Sequence, residues 1–411
     1  MKSGLLTKNI APAGNIVVVR ASGSTIWDQQ GKAYLDFASQ TLNLNWGHSH
    51  PEIVRAAKDQ LDQFYFLSTR FVSPPLMDLA EKIVRISPND LSTINLKLTN
   101  GSDANESAIK RARKFTGKHK IATFFHSHLG ETAETICASG KHFENRKYIG
   151  GSQEFVFFKP PHPDFFGGNI SFPASESRSL AEFEKLAQTN ELAGVIVEPV
   201  MVNAGAYVLS KHYLLELRRL CDNYGISLIF DEIQTAFGWL NDFFAASIRQ
   251  VVPDMITLGK ALSSGFPLAG ILMKPKYDVL DYCEDEFTYG GHPVSCAVAL
   301  KNIHLLENAF NMNAFDKTID ILNNHLSELK NQFSQIKEVR GEGFIRAIAF
   351  DPNQCQANRV YETCLSKGLI TRKTQDGHGS AIVIKPPLVV TEQEIGRAFD
   401  ILTTVINFCE S

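Results

Sequence analysis

Paired cysteines, runs of one charge and long apolar stretches are all missing from this 411-residue chain. None of its seven cysteines (137, 221, 283, 296, 355, 364 and 409) stands in a C-x-x-C pair. That scatter argues against a structural zinc site and for a reducing compartment. Lysine and arginine number 41 against 44 acidic residues, a net charge of −3 with no basic run. Neither nucleic acid nor a membrane surface is indicated as a partner. The start, MKSGLLTKNIAPAG, lacks the apolar core of a signal peptide, and no later stretch is long enough to span a bilayer. A nucleotide-binding loop of the form G-x-x-x-x-G-K-[ST] is missing too. Beyond the N-terminal region the Gly-Lys pairs lie at 117–118, 140–141 and 259–260, and none is followed by Ser or Thr. What is left is a soluble, cytoplasmic α/β protein whose 44% hydrophobic residues suffice for a large core or two domains.

From about residue 75 to residue 275, strand-like runs alternate with helical patterns. PPLMDLAEKIVRI opens with prolines suited to a helix start, and Leu76, Leu79, Ala80, Ile83 and Val84 share one face. In SDANESAIKRARKFTG the residues Ala104, Ala108, Ile109 and Ala112 align, with Gly117 as a stop. IATFF, LAGVIVEPV, ISLIFDE, MITLGK and AGILM read as buried strands, and HYLLELRRLCDNYG as a helix closed by Gly225. The alternation predicts a mostly parallel, doubly wound sheet. ASGSTIWDQQGKAYLDF has the look of a small antiparallel sheet. The C-terminal part predicts a long helix near 315–333, strands FIRAIAF and AIVIKPPL, and a last helix begun by a capping box at Thr391–Glu394. The expected organisation is a large domain over 51–295 and a smaller one built from both ends, 1–50 and 296–411.

Residues 228–239, LIFDEIQTAFGW, end an apolar strand in two carboxylates. A buried charge is costly unless something opposite pairs with it. In an open α/β sheet, ligands bind beyond the carboxyl ends of the strands, where Asp231 sits. Lys260 leaves the next strand, MITLGK, into the small-residue loop ALSSG. The two could simply pair with each other. In TNGSDANE, Gly101 and Ser102 open a helix, and free N–H groups with the helix dipole favour an anion there. Ser102 is equally read as an ordinary cap. Together the three pieces ask for a phosphate at Gly101–Ser102, a cationic ring nitrogen at Asp231 and a carbonyl at Lys260. Pyridoxal phosphate has all three groups.

Five stretches strengthen that reading: GSTIWDQQGKAYLDF with NWGHSHPEI, TNGSDANESAIKRARKFTG, FDEIQTAFG, TLGKALSSGFPLAG and FTYGGHPVSCAVAL. In order and spacing the chain resembles the class III aminotransferases over nearly its whole length, the pyridoxal-phosphate family that includes ornithine, 4-aminobutyrate and ω-amino acid aminotransferases. The resemblance implies fold type I, with a mixed, mostly parallel sheet in the large domain and a smaller α+β domain. By position it implies that Lys260 carries the cofactor as a Schiff base and works as general acid and base. Asp231 would keep the pyridinium protonated, Ile233 would pack on a ring face, and Gln234 would bond near the ring hydroxyl. Gly101 and Ser102 would hold the phosphate, joined by Thr288 from a neighbouring subunit, which implies a homodimer with its site at the interface. Glu198 would support the site near Gln234. No metal is implied.

The chain also departs from that family. In FFHSHLGET, residues 124–132, His128 falls where an aromatic residue stacks on the cofactor, with His126 the choice under a one-residue slip, and Leu129 replaces a ring. Asn203 stands where ornithine and 4-aminobutyrate aminotransferases have a Glu. Val383 occupies the position of the Arg that binds a carboxylate in them. Losing both partners together is physically consistent, since one alone would be a buried, unpaired charge. Arg70, Arg372 and Lys385 are other cations, each read as an exposed surface charge, and TRKTQDGHGS is read first as a solvated connection and otherwise as a polar loop that could bring an Arg in. EPVMVNAG resembles glutamate-semialdehyde aminomutase, although Gln234 stands where that group has Lys. His292 replaces a common Asn, without a functional account. The leading reading is an aminotransferase working on an ω-amine or amino-aldehyde with a keto or aldehyde acceptor. An aminomutase or epimerase of the same fold is the alternative, and a cofactor-binding protein without turnover a third.

Overall fold

The computed structural model describes residues 16–140, 149–150, 152–374 and 380–408. Its centre is a seven-stranded sheet in the order Thr93–Leu98, Ala269–Met273, Met255–Leu258, Ser227–Asp231, Leu192–Val197, Lys120–Phe124, Phe155–Phe158. Only Ala269–Met273 runs against its neighbours; the other pairings are parallel. The apolar runs have the period-two split of strands covered on both sides. Leu228 and Phe230 enter one cluster of buried residues, with Tyr213, Leu217 and Phe183 from the helices Lys211–Tyr224 and Phe172–Ala187. Ile229, between them, enters the other, with Ala104, Ala108 and Ala112 of helix Gly101–Thr116. The small alanines let that helix lie close to the strands, and Gly117, at φ 70°, ends it in the left-handed conformation.

Because six strands point one way, the loops after Leu98, Phe124, Asp231 and Leu258 leave the same edge of the sheet. Topology alone thereby gathers Gly101, His128, Asp231 and Lys260.

Two further four-stranded sheets are built from the chain ends. Val18–Ser22, Thr25–Asp28 and Ala33–Asp36 form the antiparallel sheet expected, but Leu369–Ile370 adds to it in parallel, beside Ala33–Asp36. The second sheet runs Ile336–Glu342, Ile345–Phe350, Ser380–Ile384, Arg372–Lys373, all antiparallel. Helices Asp316–Gln332, Ala357–Ser366 and Glu392–Asn407 accompany it, the last with its capping box between Thr391 and Glu394. Helix Pro293–Asn311 joins the regions, packing on Pro51–Leu61, Pro74–Ile86 and the turn Lys260–Ser263.

One turn has no precedent in the sequence pattern. Ser39, Gln40, Thr41 and Leu42 all have positive φ, between 44° and 70°. Each such L-residue costs about 1 kcal/mol, and strain of this kind collects at functional sites. The turn packs against Lys260–Ser263. Of the polar segment 371–380, residues 375–379 lie outside the described residues, as do the first 15 residues.

Candidate active site

A cavity of about 360 Å³ opens at the strand ends and is lined by Gly101, Ser102, His128, Asp231, Ile233, Gln234 and Lys260. Seven positions read from the sequence thus meet in one place. Glu198 is buried just behind: its Oε1 accepts the backbone N–H of His128 at 2.9 Å. Thr288 lies elsewhere, exposed on the surface. His126 lines a different, larger cavity of about 840 Å³ with Phe125, Tyr207 and Arg340, where its ring stacks on Phe165. Of the two histidines, only His128 reaches the cavity of Lys260. In that larger cavity Asp164 sits near His162 and Glu338 but is ion-paired with Lys337 at 2.8 Å and Arg340 at 3.1 Å. This is a charge network that ties the sheet Ile336–Glu342 to the segment of Asp164.

The two adjacent carboxylates have separate duties. Glu232 is fully buried and accepts N–H bonds from Ala245 at 2.6 Å and Ala246 at 2.9 Å. It closes the start of helix Ala245–Arg249, and burial pushes its carboxyl up to about 7. Asp231 faces the cavity instead. Its Oδ1 accepts the Ile233 N–H at 3.0 Å and its Oδ2 the Asn105 side-chain amide at 2.8 Å.

Asn105 was missed by the sequence reading. It is fully buried, its Nδ2 also donates to Leu129 O at 2.7 Å, and its Oδ1 accepts from Thr257 Oγ1 at 2.8 Å. A signal existed: Asn105 lies one turn beyond Gly101, beside Ala104 and Ala108 on the sheet-facing side of its helix. A lone amide among alanines must have a partner there.

Lys260 is held with φ 43°, in the left-handed region unusual for a side-chain-bearing residue. Its turn is fixed by Asn302, whose Nδ2 donates to Ala261 O at 2.7 Å and Leu262 O at 3.0 Å. Burial holds its ammonium below the ordinary lysine range, opposed by the negative charges of Asp231 and Glu198 and assisted by Arg372. Burial likewise raises the Asp231 carboxyl, opposed by the bonds from Asn105 and Ile233 and by the charge of Lys260. A ligand cation at Asp231 would remove the negative charge that opposes burial at Lys260 and so lower the basicity of that amine further.

The walls fit a flat, anionic-tailed ligand. A Cβ at Gly101 would fall 2.9 Å from Ile233 Cδ1, and one at Gly259 3.4 Å from Ile233 Cγ2. Glycine at both points lets Ile233 form a slab facing the cavity. A Cβ at Gly130 would lie 2.6 Å from Ser102 Oγ, which accepts the N–H of Glu131 at 3.1 Å. The positive end of helix Gly101–Thr116 points at this corner, a seat for phosphate. Ring, carbonyl and phosphate of pyridoxal phosphate each find a suitable group.

Val383 is buried and pairs with Ala347 on one side and Arg372 on the other. The short helix Val202–Gly205, which carries Asn203, packs against its strand. One expectation about the cations needs correction. Arg372 is exposed as read, but Lys385 is buried at 2% exposure rather than a surface charge. Its spacing of two from Val383 was the available signal. His292 precedes helix Pro293–Asn311, and nothing in the structure assigns it a role.

Comparison with known proteins agrees with this geometry. The chain matches the family described as Aminotransferase class-III over residues 9–406. It is 33% identical over 339 residues to 5-aminovalerate aminotransferase DavT of Pseudomonas aeruginosa, covering 81% of this chain and 78% of that one. Acetylornithine aminotransferase of Methanocaldococcus jannaschii is 31% identical over 402 residues, 95% and 94% of the two chains. A solved transaminase from the marine bacterium Virgibacillus superposes with a TM-score of 0.88 at 27% identity, over 96% of this chain and 93% of that one.

Proposed function

The chain belongs to the class III aminotransferase family, is a pyridoxal-phosphate-dependent aminotransferase of fold type I, and from that premise we propose that it works on terminal amines. The amino group leaves a carbon that bears no carboxylate and passes to a keto or aldehyde acceptor. The observation carrying this reading is the neutral pair Asn203 and Val383, in adjoining elements, where the resemblance calls for a Glu and an Arg. Without that guanidinium, an α-carboxylate has no bidentate partner at this position. Relatives named for 5-aminovalerate and acetylornithine agree with a terminal-amine donor. They carry aminotransferase names, and the aminomutase or epimerase reading has no separate observation behind it.

Bound pyridoxal phosphate supplies an electron sink that makes the hydrogen on the amine-bearing carbon acidic. The protein's residues do the rest. Asp231, its orientation fixed by Asn105 and the Ile233 N–H, holds a proton on the ring nitrogen. Lys260 would hold the cofactor through its carbonyl carbon and, when free, would hold and move the proton of the reacting carbon. Burial lowers its basicity, which favours that task. Of the residues that line the cavity, Gly101 and Ser102 would take the phosphate at the helix start, Ile233 and His128 would bound the ring and Gln234 would take its hydroxyl, while Glu198 steadies the backbone of His128. A half-reaction screen tests the donor class. Terminal amines are expected to bleach the bound cofactor's visible band at least tenfold faster than α-amino acids such as alanine; the opposite order would refute the reading.

The replaced pair gives a second test. Asn203→Glu with Val383→Arg is expected to raise the use of α-carboxylate donors relative to the native amine by about tenfold, one charged hydrogen-bonded contact. It is also expected to cost about 1–3 kcal/mol of stability, because position 383 is buried. An unchanged donor ratio in the folded double variant would remove these positions from substrate choice.

The same reading includes a homodimer and a cytoplasmic location, and the division into 51–295 and a unit from both ends. Among the described residues no helix is long and apolar enough to cross a membrane. Thr288 adjoins Tyr289, 63% exposed, whose ring meets Phe66; Phe71, Val72, Met77 and Tyr282 are exposed as well. Exposed aromatic and apolar side chains in this number support a surface that a second subunit covers. Mixing Thr288→Ala with Lys260→Ala subunits is expected to restore activity. One site of the mixed dimer then carries both lesions and the other neither. No recovery despite demonstrated subunit exchange would mean that Thr288 serves its own subunit.

A further inference from the structure

Helix Pro293–Asn311 aims one amide at the turn that carries Lys260. Asn302 lies on its buried side with Val298, Ala299, Ile303 and Leu306, and is itself fully buried. An amide in such a place must find partners. Its Nδ2 donates to Ala261 O at 2.7 Å and Leu262 O at 3.0 Å, the carbonyls that follow Lys260 along the chain. Its Oδ1 accepts from Asn45 Nδ2 and from Trp46 Nε1, each at 2.8 Å. Two donors and two acceptor sites are all that the group has, and every one is used. The partners also decide which way round the amide sits, because a carbonyl only accepts and an indole nitrogen only donates.

The partners of Oδ1 belong to the N-terminal segment beside the site. Its left-handed turn Ser39–Leu42 packs on Lys260–Ser263, and Asn43 lines the cavity of Lys260. Leu44 takes the space that Gly265 leaves open, where a Cβ would lie 2.7 Å from Leu44 Cδ2. Asn45 Nδ2 also donates to Phe237 O at 3.2 Å, in the segment that follows Asp231. Trp46 meets the rings of His50 and Phe315, with centroids 5.5 and 6.0 Å away.

The turn needs such support. Lys260 and Ser264 bracket it with φ of 43° and 44°, and backbone of this kind persists only where the surroundings over-determine it. Inside the turn, Leu262 N–H donates to Gly259 O at 2.9 Å and Ser264 N–H to Ala261 O at 3.2 Å. Asn302 supplies the hold from outside. We propose that Asn302, oriented by Asn45 and Trp46, is a positioning residue for the reaction: through the turn it sets the direction of the Lys260 side chain, and with it the speed of proton transfer at the reacting carbon. Asn302 is not among the residues that line the cavity, so it acts through Lys260 alone. It rests on Lys260 being the proton carrier of the proposed function. A misplacement of about 1 Å can slow such a step roughly a hundredfold.

Asn302→Leu keeps most of the bulk and removes all four bonds. The holoenzyme is assayed with whichever donor bleaches the cofactor band fastest in the half-reaction screen. At saturating donor its single-turnover rate is expected to fall by about fivefold or more, with half-saturation moved by less than about threefold. The pH midpoint of the resting visible band is expected to shift by about half a unit or more, since it reports the surroundings of the Lys260 nitrogen. A smaller fall in rate overturns the proposal. So does a slower rate with a smaller shift of the midpoint, the mark of an amide that serves the fold alone. Should Asn302→Leu fail to fold, Trp46→Phe decides, because it removes one of the two donors that orient the amide and leaves the turn its own bonds. It is expected to slow the same step by about twofold or more and to move the midpoint in a reproducible direction; absence of either change overturns the proposal. Lys260→Ala keeps the premises apart. Full turnover in that variant ends the role of Lys260 and that of Asn302 with it, whereas lost turnover there beside an unaffected Asn302→Leu ends the positioning role alone.

Discussion

Asp231→Asn is expected to fold, to retain pyridoxal phosphate, and to lose turnover by roughly a thousandfold or more, about 4 kcal/mol of the barrier. The size follows from what the carboxylate does. A neutral amide cannot hold a proton on a ring nitrogen, and without that positive charge the cofactor draws electrons weakly from the reacting carbon. The surroundings add to the loss. Both oxygens of Asp231 accept N–H bonds, from Ile233 and from Asn105. Asn105 cannot simply turn round, because its amide is tied to Leu129 O and Thr257 Oγ1 as well. The new NH₂ therefore faces a donor, at a local cost of about 1–3 kcal/mol. Single-turnover rates with a saturating amine check the chemical step apart from binding. A loss below tenfold would make Asp231 a structural residue.

Lys260→Ala is expected to fall further, by about 10⁴ or more, since it removes both the covalent anchor and the proton carrier. The variant still binds pyridoxal phosphate through the helix start and Asp231. After reduction with borohydride, however, its intact mass gains no cofactor, whereas wild type gains one per chain. Stability is expected to hold or rise, because a buried amine whose basicity burial depresses is removed. The alanine must accept φ near 43°, a strain that lysine already bears there. Partial recovery on adding a small primary amine would fit a missing proton carrier. Full turnover with no added amine would take Lys260 out of the chemistry.

Legibility in the sequence followed the range of the interactions. The run LIFDE declares a strand buried on both sides because Leu228, Ile229 and Phe230 alternate between two apolar layers, a pattern local to five residues. The start of helix Gly101–Thr116 and its left-handed end at Gly117 are equally local. Asp231 and Lys260 were readable because strand ends in a parallel sheet share an edge. The partners of Asn105 and Lys385 and the left-handed turn at Ser39–Leu42 were not, for a common reason. Each is decided by groups far away in the chain: Asn105 by Asp231, Lys385 by Phe37 and Ser39, the turn by Lys260–Ser263. Helix Pro293–Asn311 is buried on several sides and so shows no polar stripe for a periodic pattern to reveal.

The parallel pairing of Leu369–Ile370 with Ala33–Asp36 has a consequence for how the chain is made. A ribosome delivers Ala33–Asp36 long before its neighbour exists, and the intervening segment must be synthesised while that edge waits with open hydrogen-bonding groups. At about 5–20 residues per second, the wait is on the order of tens of seconds. The central sheet can form from the residues already released, but the N-terminal sheet cannot close until Leu369–Ile370 has been made. Chains cut short ahead of Leu369 would display an unpaired strand, the sort of surface that chaperones hold and that otherwise aggregates. Synthesis of Leu369–Ile370 is thus the event that closes the N-terminal sheet.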